Sequence, residues 1–478
     1  MMAGEPLAYP LHEEGNLLHS GAHLFHIHRA VASGKTPDEI PKFDIQPLTN
    51  LVLGAVTGPH SGLCDLQMEQ PSPICESSDE SDEVDDDTTE KPKPSTSKES
   101  DGLVAGISNW KGPIKQADGD SITLFDHKPD SSDHRCDPIA DAYAVIARPN
   151  NAILAIASGC NSGAKSQQAA RCAVRGCVEK LNETLLSDSS PKTTQQVVAH
   201  ILSSFGAAQE LIMKHEGTTA SLCVAVVCRL HRHLGEHEWG LSVVSVGSIS
   251  CFVWKNSTGT VHEVTSTTLH GVASMGSLGP SANGKPDLSS LVCSYVHVAR
   301  NDVVFLATRG IYDNFDPFVL LDEANEEYST MAASNHSQSV PFLTVQGKEN
   351  RKLSVLSELL KKCRTHRKAD HLSALALKEA VIGHVVAVTE EKRNFLEKNW
   401  QDMKYAEMLT DEEKAAQEKK ILRLAEEYPG FLGHATITAY QVGQLTERAS
   451  HDRTNLFLYS PTLDFETAEV EENRSADP

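Results

Sequence analysis

Three observations predict an α+β fold, a four-layer α/β/β/α sandwich with two central, mainly antiparallel sheets. Short β-branched, apolar runs recur between turn residues from 141 to 310. Amphipathic helical stretches stand before and after most of them. The later runs follow one another too closely for the crossovers of a parallel sheet. Helices flanking such strands bury their apolar faces most simply by covering the outer faces of two stacked sheets.

DAYAVIA (141–147) and AILAIA (152–157) are split by RPNN, whose Pro and Asn favour a turn, so the pair reads as a hairpin. In the segment 163–186, Ala170, Ala173, Cys177, Val178 and Leu181 share one small, apolar helical face suited to close approach to a sheet. A second amphipathic helix covers about Gln195 to Met213, with Gly206 as a tolerated weakness. Strands are then expected at 219–230, 241–247, 250–256, 260–266, 290–299 and 302–310. Helical patterning returns at 353–363 and 372–398, the latter with a break near Gly383. Thr410, with Glu413 three positions on, marks a capping box for a charged helix in the segment 409–428. HATITAYQVG (434–443) closes the domain as a strand.

Four divisions of the chain follow. Residues 1–70 form a partly ordered N-terminal arm, 71–110 an acidic low-complexity linker, 120–445 the main domain with a helical insertion at about 385–428, and 446–478 a flexible tail. The linker carries DESDEVDDDTTE (79–90) and KPKPSTSKES (91–100), too polar to offset the entropy of ordering. Ser77, Ser78 and Ser81 precede carboxylates there and suit an acid-directed kinase, although a plain solvating linker explains them as well.

The formal net charge of −22, from 65 acidic against 43 basic residues, opposes binding to nucleic acid or anionic membranes and leaves a protein partner. Eleven cysteines without a CxxC pair fit a reducing compartment better than a disulfide framework or a zinc site. No stretch is apolar enough to span a bilayer, and MMAGEPLAYP lacks the cationic flank of a targeting segment, so a cytoplasmic or nuclear location is expected. The histidines at 19, 23, 26 and 28, and those in HRHLGEH (231–237), sit at loose spacing and form no acid–base set. Cys160, in the loop after the hairpin, is the one thiol expected to be accessible.

Five signatures occur in a telling order: SGCNSG (158–163), GTTA (217–220), SVGSIS (245–250), FLATRGIYDNFDP (305–317) and GHATIT (433–438). Together they resemble the metal-dependent serine/threonine protein phosphatases, the PPM or type 2C family, in a divergent metazoan branch. The resemblance spans about Asp137 to Val442. It implies carboxylates at strand ends that hold two Mg²⁺ or Mn²⁺ ions, which activate a water for attack on a phosphoserine or phosphothreonine.

Matched position by position, Asp141 keeps the first carboxylate. The bridging carboxylate is Ser158, the glycine whose carbonyl helps hold a metal is Gly159, and the two later carboxylates are Arg309 and Gly433. Asp370, in ADHLS, is a rival for the closing position, but HATITAYQV has the period of a strand and HLSALALKEA that of a helix. Arg135 lies near the family's phosphate-holding arginine, a solvent-facing arginine being the plainer reading, and Asp302 and Asp313 read as turn residues. Any metal would fall to Asp141 and Gly159. With three of four carboxylates replaced, no cofactor is expected, and Mg²⁺ or Mn²⁺ only with residual activity.

Arg309 is expected to reach Asp141 and form a buried ion pair in place of the metals. The resulting expectation is a catalytically degenerate pseudophosphatase that binds or regulates a protein, with phosphoproteins among the candidates. Two alternatives stand beside it: an active phosphatase with relocated ligands, and a structural assembly component.

Overall fold

A computed structural model of the chain describes residues 27–31, 40–59, 62–66, 103–187, 190–234, 237–265, 276–280, 285–320, 345–405 and 410–443. The acidic run at 79–90, Ser77, Ser78, Ser81, His19, His23, His26 and the tail 446–478 lie outside these residues.

In chain order the elements are β1 (Ile27–Val31), β2 (Gly54–Gly58), β3 (Lys111–Gly112), β4 (Ala117–Thr123), β5 (Asp141–Ala147), β6 (Asn151–Gly159), α1 (Ala164–Leu185) and α2 (Thr194–Lys214). Next come β7 (Ala220–Leu234), β8 (His237–Val246), β9 (Ser250–Lys255), β10 (Thr260–Glu263), β11 (Val292–Val298), β12 (Val303–Ala307) and the single turn α3 (Arg309–Tyr312). The last four are α4 (Val345–His366), α5 (Ala374–Tyr405), α6 (Asp411–Ala425) and β13 (His434–Gln441).

The strands form an eight-stranded sheet, ordered β1-β11-β8-β7-β6-β5-β2-β3, and a five-stranded sheet, ordered β10-β9-β12-β13-β4. Every named pairing is antiparallel. This is the α+β sandwich that the short strands predicted.

Alternation along the strands supplies two buried faces. Val145, Leu154, Ile156, Ala225 and Val243 point toward Val253, Val304 and Tyr440 of the second sheet. Ile146, Ile153, Ala155, Val224 and Val244 point the other way, onto Ala170, Ala173, Cys177 and Val178 of α1. On the far side, Phe252, Phe305 and Ile437 pack under Leu360 of α4 and Leu377, Val381 and Val385 of α5. Strands covered on both faces have no polar side to show, which is why β5 and β6 read as near-continuous apolar runs. Each fully buried Val, Leu or Ile contributes about 1.5–3 kcal/mol.

The small face of α1 packs on the first sheet as its spacing predicted, and α1 also approaches α2 closely. A Cβ at Gly176 would stand 2.7 Å from the Ala207 carbonyl oxygen, so α1 and α2 meet almost backbone to backbone. The Thr410–Glu413 capping box forms, with Glu413 N–H donating to Thr410 Oγ1 at 3.3 Å and Thr410 N–H to Glu413 Oε2 at 2.8 Å.

The structure corrects or completes the sequence reading at four places. Helix α5 runs unbroken through Gly383, because Val381 and Val385 on either side bury against the second sheet and outweigh one glycine. Strand β4, which the sequence left unassigned, borders β13. Part of the N-terminal arm is woven into the first sheet, with β1 at one edge beside β11 and β2 between β5 and β3. The end of the expected linker is packed, with Ala105, Ile107 and Trp110 buried in the first core.

Beyond about residue 386, α5 leaves the sheet. Its Leu396 and Trp400 join Ile421 and Ala425 of α6 in a small separate cluster. Among the described residues no helix is long and apolar enough to cross a membrane, and the described cysteines are all free thiols. Burial pushes the thiols of Cys172, Cys177, Cys223, Cys228 and Cys293 up to about 12, so these are packing residues.

Candidate functional site

Ends of strands from both sheets meet at one corner of the sandwich. Asp141 opens β5 directly across from Ser158, next to Gly159 at the end of β6. From the second sheet, the end of β12 leads through Thr308 into α3, and β13 begins at His434 beside it. Two hydrogen bonds lock this second pair: Thr308 N–H donates to the Thr436 carbonyl at 3.0 Å, and Thr436 N–H donates to Thr308 Oγ1 at 2.9 Å.

Glycines set the closeness of approach. A Cβ at Gly159 would lie 2.2 Å from the Ser166 carbonyl oxygen in the first turn of α1, and one at Gly310 would lie 2.1 Å from the His434 carbonyl oxygen. Neither position admits a side chain without backbone movement. Gly433 is buried at the corner, and its carbonyl accepts from Leu124 N–H at 2.9 Å.

Asp141 is 1% exposed. Its Oδ2 accepts the Thr436 hydroxyl at 2.8 Å, and the Ser158 and Thr308 hydroxyls stand close enough to the same carboxyl to favour its charged form. Thr436 Oγ1 in turn lies 2.7 Å from Ser121 Oγ on β4. Burial pushes the Asp141 carboxyl above the usual carboxylate range, opposed by the Ser158 hydroxyl, neighbouring His434, and Thr436 and Thr308. Burial holds His434 below the ordinary imidazole value, against the pull of Asp141 and Asp137.

Arg309 takes no part in that pocket. As the first residue of α3 its side chain points outward, 52% exposed, and its Nε donates to Asp313 Oδ2 at 2.9 Å, one helical turn on. The guanidinium also lies 5.5 Å over the Phe431 ring. The expected Arg309–Asp141 ion pair is thus absent, because helix geometry places the i+4 carboxylate within reach and hydroxyls satisfy Asp141 without a cation.

Arg135 is held by neighbours of its own. Its guanidinium stacks 4.1 Å over the Trp400 ring and stands 3.3 Å from Glu418 of α6 and 3.8 Å from Asp126.

The other carboxylates are engaged elsewhere. Asp302 pairs with Lys255 at 2.5 Å in a buried bridge and caps the strand turn by accepting from the N–H groups of Ala299 and Asn256. Asp313 and Asp316 share Lys352, each at 3.5 Å. Asp370 is exposed in the turn between α4 and α5, while His434–Gln441 is the closing strand, as the period of that segment indicated. Among the described residues no three His, Cys, Asp or Glu side chains are placed to hold a metal ion. Cys160 is half-buried; its N–H donates to the Thr219 carbonyl at 2.8 Å and its carbonyl accepts the Ser166 hydroxyl at 2.7 Å.

Thr308, His434 and Thr436 were not singled out from the sequence. The one available signal was the pair of threonines two apart in HATIT, which places both hydroxyls on one face of the strand.

No family model matches the chain. The PP2C-like domain-containing protein CG9801 of Drosophila melanogaster is 33% identical over 227 residues, covering 45% of this chain. The chain spans about a third of that relative's length, 32%. Among solved structures, a serine/threonine phosphatase of Mycobacterium tuberculosis aligns over 68% of this chain and 97% of its own, with 11% identity and a TM-score of 0.28. The protein RsbX, in a complex with magnesium, aligns over 68% of this chain and 92% of its own, with 10% identity and a TM-score of 0.32. Over those 227 residues the chain is similar to a protein described as PP2C-like, the same family that the five motifs resemble.

Proposed function

We propose that this PP2C-like domain works without metal or catalysis, as a pseudophosphatase that binds or regulates a protein partner. The carrying observation is the setting of Asp141, a buried carboxyl whose Oδ2 accepts the Thr436 hydroxyl and which has the Ser158 and Thr308 hydroxyls and His434, not further carboxylates, beside it. Mg²⁺ and Mn²⁺ draw their binding energy from several anionic oxygens arranged around the ion. The pocket offers one carboxylate, three hydroxyls and an imidazole, with Ser158 and Gly433 where carboxylates would stand and Arg309 turned away. These residues do not fit a pair of hard divalent ions, so no hydrolytic step is derived for them.

An active phosphatase with relocated ligands would need Asp302, Asp313, Asp316 or Asp370 to converge on Asp141. The first three hold Lys255, Arg309 and Lys352, and the fourth is exposed in a turn, which weighs against that reading. The excess of acidic residues supports a protein partner, phosphoproteins included, over nucleic acid or an anionic membrane, and free thiols support a cytoplasmic or nuclear site of action.

Calorimetric titration with Mn²⁺, alongside hydrolysis of a phosphothreonine peptide, tests the proposal. We expect no saturable heat and no turnover. Saturable binding together with turnover abolished by Asp141→Asn would establish the active alternative.

A further inference from the structure

Helix α6 is attached to the body of the protein by few contacts. Ile421 and Ala425 are its buried residues, and they pack with Leu396 and Trp400 in a cluster separate from the three main cores. Most of its other residues are exposed, Leu422 among them at 48%. Beside it runs a groove of about 350 Å³ lined, among the described residues, by Leu422, Ala425, Phe318, Phe431 and Leu432.

Two side-chain links add to this cluster. Glu418 meets Arg135 at 3.3 Å, and just past the end of the helix Tyr428 stacks on Phe395 with ring centroids 4.7 Å apart. Half-exposed ion pairs hold weakly. Segments with few buried apolar contacts are the ones that open without global unfolding.

The place α6 covers is chemically distinctive. The Arg135 guanidinium stands over the Trp400 indole, 4.1 Å from its centroid, and Glu418 of α6 meets it at 3.3 Å. Arg135 belongs to the segment that leads into Asp141, whose Phe125 packs edge-on against His434 at 5.3 Å. Glu397 of α5 ties that segment down independently, accepting His127 N–H at 3.0 Å.

We propose that α6 is a hinged cover, which opens as a unit while the four-layer body stays folded and thereby bares Arg135 and the face of Trp400. This holds whether or not the Asp141 pocket ever performs catalysis.

The test uses the full chain and the variant Ile421→Ala, which removes a buried anchor that is not Arg135's partner. Amide hydrogen exchange is followed by mass spectrometry across low urea concentrations, and Arg135 modification by phenylglyoxal is followed in parallel. In the unaltered chain, amides of 411–425 should exchange through an opening with little urea dependence, while those of 141–147 and 222–228 exchange only with global unfolding. Ile421→Ala should raise exchange across 411–425 by at least about tenfold and speed Arg135 modification, with the strand amides unchanged. Exchange in 411–425 that follows the urea dependence of the strands overturns the proposal. So does an Ile421→Ala variant whose strands exchange faster together with α6, or whose Arg135 reactivity stays the same.

Discussion

The Thr436 hydroxyl donates to Asp141 Oδ2 at 2.8 Å, which ties β13 of one sheet to β5 of the other at the point where strand ends converge. The bond is buried, so removing the donor leaves a carboxyl oxygen short of a partner. Thr436→Val should cost about 1–3 kcal/mol in urea unfolding, the penalty of an unsatisfied buried acceptor. Unchanged stability would show that Ser158 and Thr308 suffice to hold the carboxyl.

Placing carboxylates at the positions where the family resemblance expects them should have a conditional effect. Ser158→Asp and Gly433→Asp together set new carboxylates beside Asp141, and the metal-free variant should lose about 3 kcal/mol or more. If the corner regains a divalent site, Mn²⁺ at about a hundred times its dissociation constant returns about 2.7 kcal/mol. Thermal unfolding with and without MnCl₂ reads this directly: the variant's midpoint should rise with the ion, and that of the unaltered chain should not move.

Two glycine replacements should act in opposite directions. Gly159→Ala drives a Cβ to 2.2 Å from the Ser166 carbonyl oxygen and should cost more than about 2 kcal/mol, enough to separate α1 from the end of β6. Gly206, inside α2, has nothing within 4 Å of such an atom, and Gly206→Ala should stabilise by about 0.5–1 kcal/mol through helix propensity. Urea midpoints measured side by side check both signs.

Acid should weaken the fold through His262. Burial, helped by the charge of Lys255, pushes this imidazole down to about 4, while in the unfolded chain it titrates near 6.5. Between those values the unfolded chain takes up a proton that the folded chain refuses. The contribution is therefore complete above about pH 6.5 and is lost as the pH falls toward 4, by an amount on the order of 3 kcal/mol. Unfolding free energy measured at about pH 7.5 and 5 should fall more steeply in the unaltered chain than in His262→Gln, and equal slopes would count against His262 as the source.

The layers were legible in the sequence because burial on both faces leaves strands such as DAYAVIA with nothing polar to conceal their identity. Strand β4 escaped notice for the opposite reason. Its sequence ADGDSIT is that of an edge strand, and Asp118 and Asp120 on it face Lys378 of α5 at 2.8 and 3.9 Å, a tertiary pairing that no local pattern reveals. At the site, the segments of Asp141, Ser158 and Gly433 lie at one corner of the sandwich. The direction of Arg309 was not legible, since it depends on α3 starting at that residue and on Asp313 lying one turn ahead. The hydroxyl set around Asp141 was equally hidden, because serine and threonine recur in every strand and only the fold selects which of them meet a carboxyl.

The placement of β2 has a consequence for a severed chain. Gly54–Gly58 is hydrogen-bonded to β5 on one side and β3 on the other, and Phe43 and Ile45 are fastened to the start of α2 through Thr194 and Lys192. A protease nick anywhere in 67–102 would therefore yield two polypeptides in one folded particle, which migrate apart on a denaturing gel and elute as a single species from a sizing column.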